Sequence, residues 1–368
     1  MKRNFLRFLS FATGVVMVAT VFTACDNDDD SSQWNDAGSI VDLPSERVFI
    51  LNEGSYQMNN SGIDFYAPNA DASDKDYNFV GDIYSVQNGK VLGDTGQDMI
   101  EYEGNMYVSV FGSSLLLKLN SAGVEEARLA FSETDGQPRY MQAVNGKIYV
   151  TLYSGKVARI DATTLAIEDY VSVGLNPEHI AYNNDCLYVA NSGWGADSTL
   201  SVINVNDFKV EKTVNVAVNP CQVLVSDNQV FVMSYGAYYD YPVQSVDIEK
   251  GTSTTIANAS FMAENNGVLY LVNSVTDWVS NVTSNAFFTY DVASGKLDSV
   301  SFLDDETTAL LSSAGIYMVE INPVNGDFYI GVSDYVTNGT VYRVNKDGKL
   351  IDTIHCGGIS PNNVVFLN

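Results

Sequence analysis

Short apolar runs alternate with polar turns along nearly the whole chain, and segments with helical periodicity are almost absent. One phrase recurs: a turn containing Asn or Gly, then an apolar–aromatic–apolar triplet. The copies are Val48-Phe49-Ile50, Met106-Tyr107-Val108, Ile148-Tyr149-Val150, Leu187-Tyr188-Val189, Val230-Phe231-Val232, Leu269-Tyr270-Leu271 and Phe328-Tyr329-Ile330. Turns such as Asn145-Gly146, Asn266-Gly267 and Asn325-Gly326 precede them. Both residues of such turns tolerate positive φ, so they predict β-hairpins. The central aromatics lie 58, 42, 39, 43, 39 and 59 residues apart. Most intervals match a propeller blade of about 40 residues, and the two long ones carry inserted loops.

Each copy continues alike. An alternating strand follows the triplet, as at residues 156–161 and 200–204, and then a further strand such as 212–216. Asn176-Pro177, Asn219-Pro220 and Ser360-Pro361 then open the next inner strand. Four short strands per unit make a blade. Residues 47–52 read as a second strand with no inner strand before it, and residues 361–367 as an inner strand with no outer strands after it. Together they complete one blade and hide both sheet edges, which favours a closed ring over an open β-solenoid. The expectation is an all-β, seven-bladed β-propeller over residues 46–368. It has four antiparallel strands per blade and is closed by the C-terminal inner strand joining the N-terminal strands.

Composition narrows the function. Asp and Glu number 45 against 19 Lys and Arg, a formal net charge of -26. Such a chain is poorly suited to nucleic acid or to an anionic membrane surface, both of which need clustered cations. The 22 Tyr, 17 Phe and 3 Trp exclude an unfolded acidic chain. Four cysteines are too few for a disulfide scaffold. Cys186, Cys221 and Cys356 fall in separate repeats and read as free buried thiols.

The start of the chain reads as an address. Lys2, Arg3 and Arg7 precede an apolar run from Phe8 to Phe22, then Thr23-Ala24-Cys25. The run is near the lower limit for a membrane span, and Asp26 to Asp30 follow at once, so cleavage fits better than a transmembrane helix. Residues 1–24 are expected to be a signal peptide. Residues 25–45 are expected to be an acidic, flexible tether.

In a blade, the loop after the triplet and the turn before the next inner strand share one face, around the axial opening. The triplet loops carry Tyr56, Phe111, Tyr153, Trp194, Tyr235, Tyr239, Trp278 and Tyr335, with Asn60 beside Tyr56. The inner-strand turns add Arg139, Tyr140 and His179, with Asp98, Gln222, Tyr317 and Asn362. Aromatic rings supply contact area at low entropy cost and amides fix orientation, so this face suits a broad amphipathic ligand. The ligand-binding candidates are Tyr56, Asn60, Phe111, Arg139, Tyr140, Tyr153, His179, Trp194, Tyr235, Tyr239, Trp278 and Tyr335. The alternative is that the aromatics staple loops onto neighbouring blades. Enzyme signals are thin: there are two histidines, and no zinc, nucleophile-elbow or phosphate-loop spacing. Asp71, Asp74 and Asp76 lack the Gly and distal Glu of a calcium loop. No catalytic residue, metal or cofactor is assigned.

Two resemblances add to this reading. Leu187-Tyr188-Val189-Ala190-Asn191, Ser201-Val202-Ile203-Asn204 and Val173-Gly174-Leu175-Asn176-Pro177 resemble the repeat of surface-layer and quinoprotein-like propellers. The regularly placed Trp of the quinone-binding group is missing. Phe49 to Ser55, with Asn59-Asn60-Ser61-Gly62, resembles the surface lipoprotein propellers of gut Bacteroidetes, among them the BtuG-type cobalamin-capturing proteins. The Cys25 region is similar to a bacterial lipoprotein signal with a surface-export run behind it. The resemblance implies lipidation at Cys25, with membrane contact through that lipid alone. It implies an outer-membrane, cell-surface protein that captures cobalamin or related corrinoids and passes them to a BtuB-type TonB-dependent transporter. Another ligand (glycan, haem or protein) and a propeller lyase or hydrolase remain the alternatives.

Overall fold

The computed structural model describes residues 34–68, 78–236, 240–277 and 279–367, within a compact unit that begins at Trp34. The expected leader, Cys25 and its acidic run, the Asp71–Asp76 loop, Tyr239 and Trp278 lie outside the described residues.

Seven four-stranded antiparallel sheets form the fold. Blade 1 comprises Gly96–Tyr102, Asn105–Val110, Leu115–Leu119 and Glu125–Ala130. Blades 2, 3 and 4 open with Pro138–Val144, Pro177–Asn183 and Pro220–Ser226, blade 5 with Phe261–Asn265 and blade 6 with Ile316–Ile321. Blade 7 joins the two ends of the chain: Pro361–Leu367 is innermost, followed by Arg47–Asn52, Gly62–Tyr66 and Phe79–Val80. Successive inner strands pack side by side, and that of blade 7 packs on that of blade 1, so the ring closes. The fold is the seven-bladed propeller that the repeats predict.

Local chemistry explains the strands. Second strands are covered on both faces, and they read as unbroken apolar runs such as Met106–Val110. Outer strands alternate, as Glu125–Ala130 does. The hairpins at Glu103-Gly104, Asn145-Gly146, Asn184-Asp185, Asp227-Asn228 and Asn266-Gly267 have positive φ at both central residues, the geometry that matches strand twist. Among the described residues the apolar core divides into seven clusters, each shared by two neighbouring blades. The triplet aromatics bridge blades: the Tyr107 hydroxyl donates to the Ala162 carbonyl at 2.7 Å. The two long intervals contain short helices, Ile83–Asn88 and Asp305–Leu311.

One expectation needs correction. Residues 34–45 do not hang free. The Trp34 indole N–H donates to the Ser45 carbonyl at 2.6 Å, and Leu43 is buried in the cluster between blades 7 and 1. Arg47, 2% exposed, pairs with Asp36 at 2.6 Å and donates to the carbonyls of Pro44 and Ser121. A buried guanidinium needs all these acceptors, and they hold the segment down as a strap.

Candidate ligand-binding site

At one end of the axial channel, all seven inner strands and several triplet loops converge on a cavity of about 610 Å³. A repeated irregularity builds it. Register slips near the mouth end of the inner strands of blades 1, 2, 3, 4 and 6, and opposite that of blade 7. A bulge re-aims side chains. Here it lets two consecutive residues face the cavity where strict alternation would allow one. Gln97-Asp98, Arg139-Tyr140, Glu178-His179, Cys221-Gln222, Tyr317-Met318 and Asn362-Asn363 all line it in such pairs.

Arg139 organises one side. Its guanidinium donates Nε to Glu178 Oε2 at 2.8 Å and pairs through Nη2 at 2.7 Å, and Nη1 donates to Gln97. It lies 5.2, 5.5 and 4.8 Å from the ring centres of Phe111, Tyr140 and Tyr153. Burial works against its charge, but the Glu178 carboxylate together with Tyr140 and Tyr153 more than offsets it. Glu178 also accepts from the Tyr153 hydroxyl, and Tyr153 accepts from the Trp194 indole N–H at 3.2 Å. The other side repeats the motif. Tyr317 donates to Glu53, and Tyr335 packs edge-on against Tyr317 with centroids 5.4 Å apart. Gly54, at φ +78, lets this chain turn so tightly that a Cβ there would sit 2.7 Å from Asn60 Oδ1.

Trp194 and Tyr335 share a strained backbone. Their φ values are 51° and 63°. Each is held by a Ser two residues earlier: Trp194 N donates to Ser192 Oγ at 3.2 Å, Tyr335 N to Ser333 Oγ at 2.9 Å. A bulky residue in the left-handed region costs roughly 1–2 kcal/mol. Among the described residues two further large apolar side chains, Leu165 and Phe208, have positive φ, and both are only 4% exposed. Their burial offsets the strain. Trp194 is 73% exposed and Tyr335 59%, so burial offsets little of theirs, and each keeps an edge-on contact with one neighbouring tyrosine. Strained backbone beneath an exposed aromatic clusters at functional positions.

The channel below the mouth is polar. Asp98 accepts from Met141 N at 2.8 Å, Met99 N at 3.0 Å and Asn363 Nδ2 at 2.9 Å, yet burial pushes its carboxyl up to about 7. Burial and then the Asp98 charge push Glu320 up to about 8. Burial lowers His179 to about 4, partly opposed by a hydrogen bond to the Val223 backbone, so the ring is neutral and packs 4.9 Å from Tyr140. Among the described residues no group of three or more His, Cys, Asp or Glu side chains converges as a metal requires.

Of the candidate residues, Arg139, Tyr140, Tyr153, His179, Trp194, Tyr235 and Tyr335 line the cavity. Three do not. Phe111 backs Arg139 and packs edge-on against Tyr153. Asn60 Oδ1 accepts from Ser55 N at 2.8 Å and braces its own loop. Tyr56 rides that loop, 63% exposed, and does not line the cavity. Gln97, Glu178, Asn363 and Glu320 were not expected; the bulges that expose the first three leave no clear sequence signal beyond the Pro or Gly before them.

A family model described as a domain of unknown function (DUF5074) matches residues 46–366. No curated protein matches the chain. Among solved structures, Kuenenia stuttgartiensis hydrazine synthase is similar with a TM-score of 0.60 at 15% identity, covering 73% of this chain and 94% of that one. The Pan2 WD40 domain of Neurospora crassa is similar with a TM-score of 0.51 at 12% identity, covering 73% and 81%. At these identities the likeness is one of fold.

Proposed function

The chain belongs to the DUF5074 family, and from that premise we propose that it is a cell-surface lipoprotein that captures a broad amphipathic ligand at the channel mouth. Cobalamin or a related corrinoid is the ligand proposed. A TonB-dependent outer-membrane transporter is the proposed recipient. The observation that carries the binding reading is the pair of strained, exposed aromatics, Trp194 and Tyr335, on blades 3 and 6. Each stands on a tyrosine that is locked to a carboxylate. The rings are therefore preorganised, and binding sacrifices little side-chain freedom. A corrinoid is a wide disc edged with amides. Apolar ring faces cover such a disc, and the amides and carboxyls lining the cavity pair its edge.

The test is calorimetric titration of the purified chain with cyanocobalamin. Saturable one-site binding supports the reading. Absence of binding overturns the corrinoid assignment and makes a glycan the next ligand to try. A second reading, a propeller lyase or hydrolase, is favoured by Asp98 and Glu320, whose raised carboxyls suit proton transfer near neutral pH. Conversion of a bound ligand that stops in Asp98→Asn would support it.

A further inference from the structure

On the face opposite the mouth, blades 2, 3, 4 and 5 share a five-residue turn from the third strand to the fourth. Its fifth residue lies in the left-handed region: Leu165 at φ 55°, Phe208 at 52°, Gly251 at 67° and Gly295 at 68°. In blades 2, 3 and 5 this turn closes onto the hairpin between the first two strands. Ala162 N donates to the Gly146 carbonyl at 3.1 Å, Val205 N to that of Asp185 at 2.9 Å and Val292 N to that of Gly267 at 2.9 Å. The ladder beneath runs out to the pairs Lys147 with Asp161, Cys186 with Asn204 and Val268 with Asp291.

Blade 4 breaks the pattern. Its ladder stops one pair early, at Val230 and Val246, and Ile248 N makes no bond to the Asn228 carbonyl. Lys212 of blade 3 holds the turn instead, its Nζ donating to the Ile248 and Glu249 carbonyls at 2.6 and 3.0 Å. The neighbouring junctions are filled by large side chains. Leu165 shares a cluster with Tyr107, Phe208 packs on Tyr149 with centroids 5.6 Å apart, and Tyr290 packs on Phe231. Beside Tyr188 the position of Phe208 is taken by Gly251, where a Cβ would meet nothing within 4 Å.

The result is a second cavity, of about 390 Å³, between blades 3 and 4. Small-molecule sites run to about 300–1,000 Å³. Asn183, Asn184, Tyr188, Asn228, Gln229 and Glu249 line it. The Tyr107 hydroxyl of blade 1 donates to the Ala162 carbonyl, but Lys212 occupies the corresponding Ile248 carbonyl. The Tyr188 hydroxyl is left with no hydrogen-bond partner among the described residues. Backbone groups opened in this way need a partner from outside the ladder. No Lys or Arg is among the described lining residues, so an anion finds no counter-charge. The second acid, Asp247, is already paired with Lys250 at 2.7 Å. What remains is a mixture of amides, a phenol and free backbone groups, over Val230, Val246 and Ile248. Such a mixture matches groups that donate and accept at once, as vicinal hydroxyls do.

We infer that this cavity is a saccharide subsite, in which the amides, the Tyr188 hydroxyl and the open backbone of Asn228 and Ile248 hold one neutral sugar unit. It lies away from the mouth and rests on nothing proposed there.

The probes are methyl β-D-galactoside, methyl α-D-mannoside and N-acetylglucosamine, each titrated into the full chain and followed by backbone amide NMR. At least one should shift the amides of Asn184, Asn228 and Ile248 and saturate in the millimolar range of a single weak subsite. Gly251→Phe gives blade 4 the ring that blade 3 carries at Phe208. It should abolish those shifts while the thermal midpoint holds or rises. Tyr188→Phe removes the hydroxyl alone and should weaken the same sugar about three- to tenfold. The absence of a saturable shift at these amides with all three sugars overturns the subsite. Shifts confined to residues of the mouth, or wild-type binding in both variants, overturn it as well.

Discussion

Replacing Trp194 with glycine separates a ligand platform from a loop staple. The side chain is 73% exposed, so little apolar burial is lost. Its edge-on contact with Tyr153, centroids 5.6 Å apart, is worth about 0.5–1.5 kcal/mol. The long 3.2 Å indole hydrogen bond adds about 0.5 kcal/mol at this exposed site. Glycine's extra freedom in the unfolded chain costs about 0.5–1 kcal/mol. Against these losses, release of the left-handed strain returns roughly 1–2 kcal/mol. The net loss of stability is about 2 kcal/mol at most, where truncating a core tryptophan costs about 3–5 kcal/mol. Binding should respond differently, because an anchoring aromatic contributes about 2 kcal/mol or more, at least a 30-fold change in Kd. Urea unfolding and calorimetry with cyanocobalamin on the same variant read both. A stability loss above about 3 kcal/mol would show that Trp194 is structural. An unchanged Kd, in a wild type that binds, would remove it from the site.

Tyr335→Gly should behave in parallel, with near-wild-type unfolding and weakened binding measured in the same two assays. Arg139→Lys keeps the charge but cannot bridge Glu178 and Gln97 together, so the mouth should loosen; hydrogen exchange at residues 97 and 178 should rise. Asp98 and Glu320 bind protons more tightly in the folded ring than in the unfolded chain, so the ligand-free ring should lose stability as pH climbs from about 5 to about 8. The strongly lowered carboxyls, Glu125 and Asp161, titrate below that window and do not mask the trend. Thermal melts should show a lower Tm at pH 8.5 than at pH 5.5, with a smaller difference in Glu320→Gln. Asp36→Ala leaves Arg47 with backbone acceptors only and should cost about 1–3 kcal/mol by urea unfolding.

The fold was legible because it repeats. Each Asn-Gly or Asp-Asn turn sets a hairpin, each triplet a buried second strand, and the complementary ends a shared blade. Repetition averages away the uncertainty of any one segment. The site is where repetition fails. Alternation places one residue in two toward the channel, and the inner-strand bulges break that rule for Glu178 beside His179 and for Gln97 beside Asp98. The loop aromatics looked equivalent in sequence, yet the Tyr56 loop is braced by Asp94 accepting from Gln57 N and Asn60 accepting from Ser55 N, and Tyr56 does not line the cavity. The strap was hidden because its burial depends on Asp36 meeting Arg47, a pairing of two charges that composition reads as solvated.

The strap and the cavity lie on opposite faces of the ring. In blade 1, Gly96 pairs with Val110 at the mouth end, while Leu119 pairs with Met106 at the far end. The turn after Leu119 therefore lies on the far face, and it is this turn that grips the strap, through Asn120 to the Ala37 carbonyl at 3.0 Å and Ser121 to the Asn35 carbonyl at 2.8 Å. The chain thus reaches the ring from the side opposite the cavity. On the opposite face, Leu175, whose carbonyl accepts from Gly193 N in the Trp194 loop, and Val336 in the Tyr335 loop are exposed as well, so the apolar surface gathers on the side of the ring away from the strap.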